Sequence, residues 1–272
     1  MKALLKATQE KDKEALRAIF GPEIQELGSG DEVQDANNFE NFARRLAAAS
    51  RLVPEDYNTV ILHIGVEDHP FPVPLVKGKG KWSFDTPAGL EEILNRRIGE
   101  NEIKAAAVCR GYVAAQQEYV LADHDGDGVV EYAQRLPSTP GKQDGLFWET
   151  SGDEPPSPLG ALVAEAREEG YRMQTAQADA GPRPYHGYLY KILTRQGRNA
   201  PGGAYNYVIH GHMVAGFALV AQPVEWGSSG VVTYLVNSNG KVYEKNLGEK
   251  TAELVAKLNT YDPDPSWKVS EE

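Results

Sequence analysis

Along this chain the spacing of apolar residues switches from a helical period of about 3.6 to a strand period of about 2, returns to the helical one, and then settles into strands. Residues 2–20 place Leu4, Leu5, Ala15, Leu16, Ile19 and Phe20 on one side of a helix, and Gly21-Pro22 stops it. Gly28-Ser29-Gly30-Asp31 reads as a loop. Residues 35–49 repeat the helical spacing through Phe39, Phe42, Leu46 and Ala49. In residues 59–66 the even positions Val60, Leu62, Ile64 and Val66 are all apolar, which is the alternation of a half-buried strand. Alternating prolines in residues 70–75 leave few backbone donors, so that segment is expected to be extended at a sheet edge. A Lys/Gly turn and a strand over 81–84 follow.

Asp85-Thr86-Pro87 combines a capping side chain with a proline in the first turn, the start of a helix. The helix is expected to pause near Gly99 and to resume to about residue 121. Ala106, Cys109, Val113 and Val120 form a mild stripe on it, suited to lying flat on a sheet. Residues 136–160 are rich in Pro, Gly, Ser and Asp and read as a long loop packed by its own aromatics or used in function. A short helix over 159–170 and strands over 187–194, 205–209, 213–222, 231–237 and 241–245 come next. His210-Gly211 and Asn239-Gly240 supply hairpin turns, and 251–258 reads as a last helix. Helices, a small sheet, a long helix and then an antiparallel meander make an α+β fold, not alternating βαβ units. Two domains are expected, residues 1–98 and 99–272.

The formal charge of −11 disfavours a polyanionic partner, and no basic stripe offsets it, so nucleic acid is not expected as a partner. Lys77-Gly78-Lys79-Gly80-Lys81 reads as a solvated turn leading into a strand, not as a helix end that cradles phosphate. The one cysteine, Cys109, excludes a disulfide within the chain. No stretch approaches the ~20 apolar residues of a membrane-spanning helix. The first residues lack the apolar segment of an export signal, so the chain is expected either to be cytosolic or to have had its signal trimmed and Met1 added.

The sharpest chemical signal is Asp123-His124-Asp125-Gly126-Asp127-Gly128-Val129-Val130-Glu131. Carboxylates at positions 1, 3 and 5 with glycine at 6 match the first half of a calcium loop, and Glu131 stands at position 9. Position 12 is Gln134, which cannot supply the bidentate carboxylate of a full EF-hand. The metal candidates are therefore Asp123, Asp125, Asp127 and Glu131, with calcium as the cofactor. The same residues also suit an acidic turn whose carboxylates cap backbone amides. His210 and His212 are separated by a turn glycine and are expected to point apart. His63, His69 and His186 are assigned no role. Gly227-Ser228-Ser229-Gly230 lacks the spacing of a nucleophile elbow, and Cys109 lies on an apolar helix face. The charged run containing Glu92 and Arg96 reads as a salt-bridged helix surface. No catalytic residue is nominated.

Several strings taken in order resemble a bacterial family catalogued as domain of unknown function twenty-nine-fifty. They include Pro72-Val73-Pro74-Leu75-Val76, Lys81-Trp82-Ser83-Phe84-Asp85, Glu92-Ile93-Leu94-Asn95-Arg96-Arg97-Ile98-Gly99-Glu100-Asn101-Glu102 and Asp125-Gly126-Asp127-Gly128-Val129-Val130-Glu131-Tyr132-Ala133. Ser138-Thr139-Pro140-Gly141-Lys142, Ala200-Pro201-Gly202-Gly203-Ala204-Tyr205, Gly216-Phe217-Ala218-Leu219-Val220 and Gly227-Ser228-Ser229-Gly230-Val231 continue the likeness. Such proteins usually carry an export signal, so the resemblance implies a periplasmic or secreted protein; it transfers no catalytic residue. The later part is also similar to the soluble heads of type II secretion pseudopilins, which implies a pilin-like helix and sheet. The first part loosely resembles nuclear-transport-factor-like domains. The functional expectation is a non-enzymatic binding or envelope-assembly module acting on a protein or small ligand, with the loop around Trp148 and the Pro70–Pro74 edge as contact surface. A calcium-stabilised module and a hydrolase with an unfamiliar site between the two domains are the alternatives.

Overall fold

Two short helices, α1 (Lys2–Gln9) and α2 (Lys13–Phe20), stand where the apolar spacing predicts one. Lys11 adopts left-handed backbone (φ 51°), Asp12 N–H donates to Ala7 O, and Lys11 N–H donates to Thr8 O. That pairing ends α1 as a Schellman motif, with lysine where glycine is usual. The Asp12 side chain then accepts from Ala15 N and opens α2. The structure, a computed structural model, describes residues 1–151, 154–172 and 183–271. It divides into two compact units, Met1–Gly99 and Glu100–Glu272.

In the first unit a 3-10 helix (Pro22–Leu27) precedes α3 (Glu32–Ala48), which is capped by the buried Asp31 accepting from Gln34 N. The strands are β1 (Ser50–Pro54), β2 (Thr59–Ile64), β3 (His69–Pro70), β4 (Leu75–Gly78) and β5 (Lys81–Phe84). They form an antiparallel sheet ordered β1-β2-β4-β5, with β3 paired to β2. Leu62 and Ile64 of β2 point into a core with Leu4, Leu16, Phe20 and Leu46, and Phe42, Phe71 and Phe84 pack against it. The proline-rich segment is only partly an outer surface: Pro70 is exposed, and Phe71, Pro72 and Pro74 are half-buried. Phe71 N–H donates to Leu62 O, and Val73 is 1% exposed. The segment dips into the core because its apolar side chains have more to gain there than the lost backbone donors cost.

Helix α4 (Thr86–Tyr119) runs through Gly99 without the expected pause. A single glycine costs a helix only about 1 kcal/mol, and good helix formers such as Arg96, Arg97 and Glu100 flank it. Near the start of α4, Gly89 lies against Val73: a Cβ there would approach the Val73 Cα to 2.6 Å.

In the second unit the later part of α4 carries Ala105, Cys109, Tyr112 and Val113 into a core with Tyr188, Phe217, Leu219, Leu235 and Val236. The remaining elements are α5 (Gly160–Glu168), β6 (Tyr188–Leu193), β7 (Arg195–Gln196), β8 (Tyr205–Asn206), β9 (Val208–Ile209), β10 (His212–Met213), β11 (Ala218–Pro223), β12 (Thr233–Asn237), β13 (Tyr243–Lys245), α6 (Thr251–Lys257) and β14 (Lys268–Val269). The main sheet is antiparallel in the order β14-β13-β12-β11-β6. Pairs β7-β8 and β9-β10 stand apart from it. The chain is α+β.

Two expected strands are each split. Tyr207, fully buried, turns between β8 and β9 and donates its N–H to Thr194 O, while residues 214–217 leave β10 before β11 begins. The region 136–160 has little regular structure and is packed by its own side chains. Leu146 is fully buried, Phe147 nearly so, and Phe147 exchanges backbone hydrogen bonds with Leu136 and Ser138. Residues 152–153 of that region lie outside the described residues. Cys109 is fully buried, and that burial pushes its thiol up to about 12.

Candidate functional site

The acidic loop begins just after α4 ends at Tyr119. Its shape follows from short-range hydrogen bonds that aspartate makes with its own downstream amides. One Asp123 oxygen accepts from Gly126 N at 2.8 Å and Asp125 N at 3.3 Å, and the other accepts from Gly128 N at 2.8 Å. Asp125 accepts from Asp127 N at 3.3 Å, and Asp127 accepts from Val129 N at 2.8 Å. Gly126 and Gly128 both have left-handed backbone (φ 78° and 88°), which glycine reaches without a Cβ penalty.

The result brings three carboxylates together. Asp123, Asp125 and Asp127 each offer an oxygen, all within 4.8 Å of one another, and all three residues are exposed. The amides of Gly128 and Gly126 hold the Asp123 carboxyl below its ordinary value, so it stays ionised. Carboxylates at this spacing repel one another, and a hard cation seated among them would relieve that repulsion.

Glu131 is directed elsewhere. Its Oε2 accepts from Met213 N at 2.8 Å, and its Oε1 lies 3.5 Å from His212 Nδ1. The same His212 nitrogen is 3.5 Å from Asp127 Oδ2. His212 thus stands between the loop and Glu131, a placement that sequence spacing does not reveal because β10 lies more than eighty residues downstream. As the glycine between them implies, His210 and Gly211 form a two-residue turn (φ 53° and 97°) between β9 and β10. Gln134, the twelfth position, donates to Gly211 O at 2.6 Å and so ties the loop to that hairpin.

The loop is held at both ends. His124 stacks on Tyr119 with ring centroids 4.0 Å apart, and its Nε2 lies 2.9 Å from Tyr119 O. Trp148 comes within 5.3 Å of the His124 ring. On the exit side, buried Gln116 of α4 accepts from Ala133 N and donates to Ala133 O, both at 2.8 Å. Tyr132 N–H donates to Met213 O.

The other sequence candidates fall into structural roles. Ser229 is fully buried, and its hydroxyl exchanges hydrogen bonds with the Glu225 backbone. Lys79 and Gly80 make the β4–β5 turn, and Lys77 Nζ sits over the Tyr57 and Trp82 rings at 5.1 and 5.9 Å. Glu92 and Arg96 pair on the surface of α4.

Among known proteins, one family model matches almost the whole chain: residues 1–270 align with Protein of unknown function (DUF2950). Comparison with curated proteins and with solved structures returned no match. No helix among the described residues is long and apolar enough to cross a membrane.

Proposed function

The chain belongs to the DUF2950 family of proteins of unknown function, and on that premise we propose that it serves as a calcium-stabilised binding or assembly module of the cell envelope. The observation that carries the reading is the convergence of Asp123, Asp125 and Asp127, one oxygen each, within 4.8 Å. Calcium takes six to eight oxygen ligands, so the backbone carbonyls of the loop and water would complete the shell. Glu131 would add charge at the ninth position while anchoring the loop to β10 through the Met213 amide. The cation would fix the corner between the end of α4 and the β9–β10 hairpin. The envelope setting rests on the sequence resemblance.

The test is the melting temperature of the protein in chelator and in millimolar calcium. A ligand held only by the folded state stabilises it by about 2.7 kcal/mol at a hundred times its dissociation constant. For a domain this size that is a rise of roughly 5–10 °C. The rise is expected to vanish in an Asp125→Asn, Asp127→Asn double variant. A wild-type melting curve that does not move between chelator and calcium ends the reading.

A further inference from the structure

Tyr185 and Tyr188 exchange both backbone hydrogen bonds around a two-residue turn made by His186 (φ 50°) and Gly187 (φ 72°). Both residues of such a turn have left-handed backbone, which favours Asn, Asp or Gly at the first position. Gly187 is required, since a Cβ there would meet the Asn101 amide nitrogen at 2.4 Å. Histidine tolerates this backbone, as the exposed His210 does in the β9–β10 turn; what sets His186 apart is that its side chain is buried.

That side chain is buried among ionisable groups from three parts of the second unit. His186 Nδ1 lies 3.4 Å from Lys104 Nζ, and Nε2 lies 3.2 Å from Glu169 Oε2 just beyond α5. Lys104 in turn pairs with Glu100 at 3.1 Å. An ammonium only donates, so Nδ1 must accept and Nε2 must carry the proton given to Glu169. This fixes a neutral ring. The Tyr185 and Tyr171 rings pack against it at 4.1 and 5.6 Å, and His186 N–H donates to the Tyr171 hydroxyl.

We propose that Glu100, Lys104, His186 and Glu169 form an acid-operated latch: neutral His186 holds the Tyr185–Tyr188 turn to α4 and to the end of α5, and a second proton on its ring releases it. The second proton must go to Nδ1. It removes the acceptor for Lys104 and puts two cations 3.4 Å apart in a part-buried place. Burial and then the Lys104 charge accordingly bring His186 down to about 4 from the ordinary 6.5, outweighing the carboxylate of Glu100. Among the described residues Glu165 also acts on this cluster, through Tyr185, and burial raises Tyr185 and Tyr190 so that both stay neutral in acid.

The sign follows from linkage. A histidine lowered in the closed form favours closure most above its ordinary value, and loses that preference as pH falls toward 4. From pH 7.5 to 4.5 the opening equilibrium of the turn should rise roughly fifty- to hundredfold. Hydrogen exchange of the wild-type protein reads this as a fall of that size in the protection factors of the His186 and Tyr188 amides. His186→Asn suits the turn, keeps every other ionisable group, and is expected to hold these protection factors within about twofold. Lys104→Met removes the opposing charge and should shrink the wild-type response without abolishing it, since burial, the larger cause, remains. The latch is refuted if His186→Asn responds to acid as wild type does. It is equally refuted if amides of β11 and β12 lose protection by the same factor, or if the His186 ring titrates by NMR near 6.5.

Discussion

Gln116 allows the sharpest energetic test of how the second unit is held together. It is fully buried, accepts from Ala133 N at 2.8 Å, and donates to Ala133 O at 2.8 Å and to the Tyr112 hydroxyl at 3.0 Å. Gln116→Leu keeps nearly the same volume and helix propensity while removing the polar end. Tyr112 retains a bond to Ala218 O, but the Ala133 N–H and C=O are left without this partner. Each orphaned buried group costs about 1–3 kcal/mol, so two cost roughly 2–6. The leucine side chain returns about 1–2 by burying apolar surface. Taking the middle of each range, the net expectation is a loss of about 2.5 kcal/mol, or roughly 5–10 °C in melting temperature. Urea unfolding followed by circular dichroism measures it, with the slope checked for a change in denatured-state compactness. A companion variant sharpens the reasoning. Gln116→Glu keeps the acceptor for Ala133 N, but gives Ala133 O a donor only when the carboxyl is protonated. Its deficit relative to wild type should therefore narrow as pH falls. If Gln116→Leu costs less than about 1 kcal/mol, the two bonds to Ala133 are not what fixes the exit of the acidic loop.

Gly89 and Gly111 lie in one helix and should respond oppositely to alanine. At Gly89 the new Cβ meets Val73 Cα at 2.6 Å, and overpacking of about 1–3 kcal/mol exceeds the ~1 kcal/mol gained in helix propensity. Gly111 is exposed with open space around it, so Gly111→Ala should add roughly 0.5–1 kcal/mol; paired thermal melts decide both. Glu102 Oε1 accepts from Val231 N and Val232 N at 3.0 and 3.1 Å. Glu102→Ala should lower stability by about 1–2 kcal/mol, and Glu102→Gln, which keeps the acceptor, by less than half as much. Equal losses for the two variants in the same denaturation assay would contradict this assignment.

The elements most legible in the sequence are those whose signals are local. Val60, Leu62 and Ile64 alternate and are found in β2; residues 81–84 are β5; His210-Gly211 turns the chain between β9 and β10. The α+β class follows from such signals. What escaped reading depends on partners distant in sequence. Lys11 ends α1 in a conformation that glycine or asparagine would have announced. The Val73 segment is drawn inward by a core assembled from α1, α2 and α3. The three aspartates converge through bonds spanning at most five residues, which their spacing makes readable. Glu131 goes instead to Met213, eighty-two positions away, and His186 meets Lys104 across the same separation. No periodicity records contacts of that range.

Cys109, the chain's one thiol, sits at zero exposure between α4 and the main sheet, far from the thiolate form at neutral pH. A thiol reagent can reach it only during moments when that interior parts. The labelling rate of the unmodified protein is therefore a stopwatch on the opening of its largest core. With no second sulfhydryl to compete, a single mass increment counts each event.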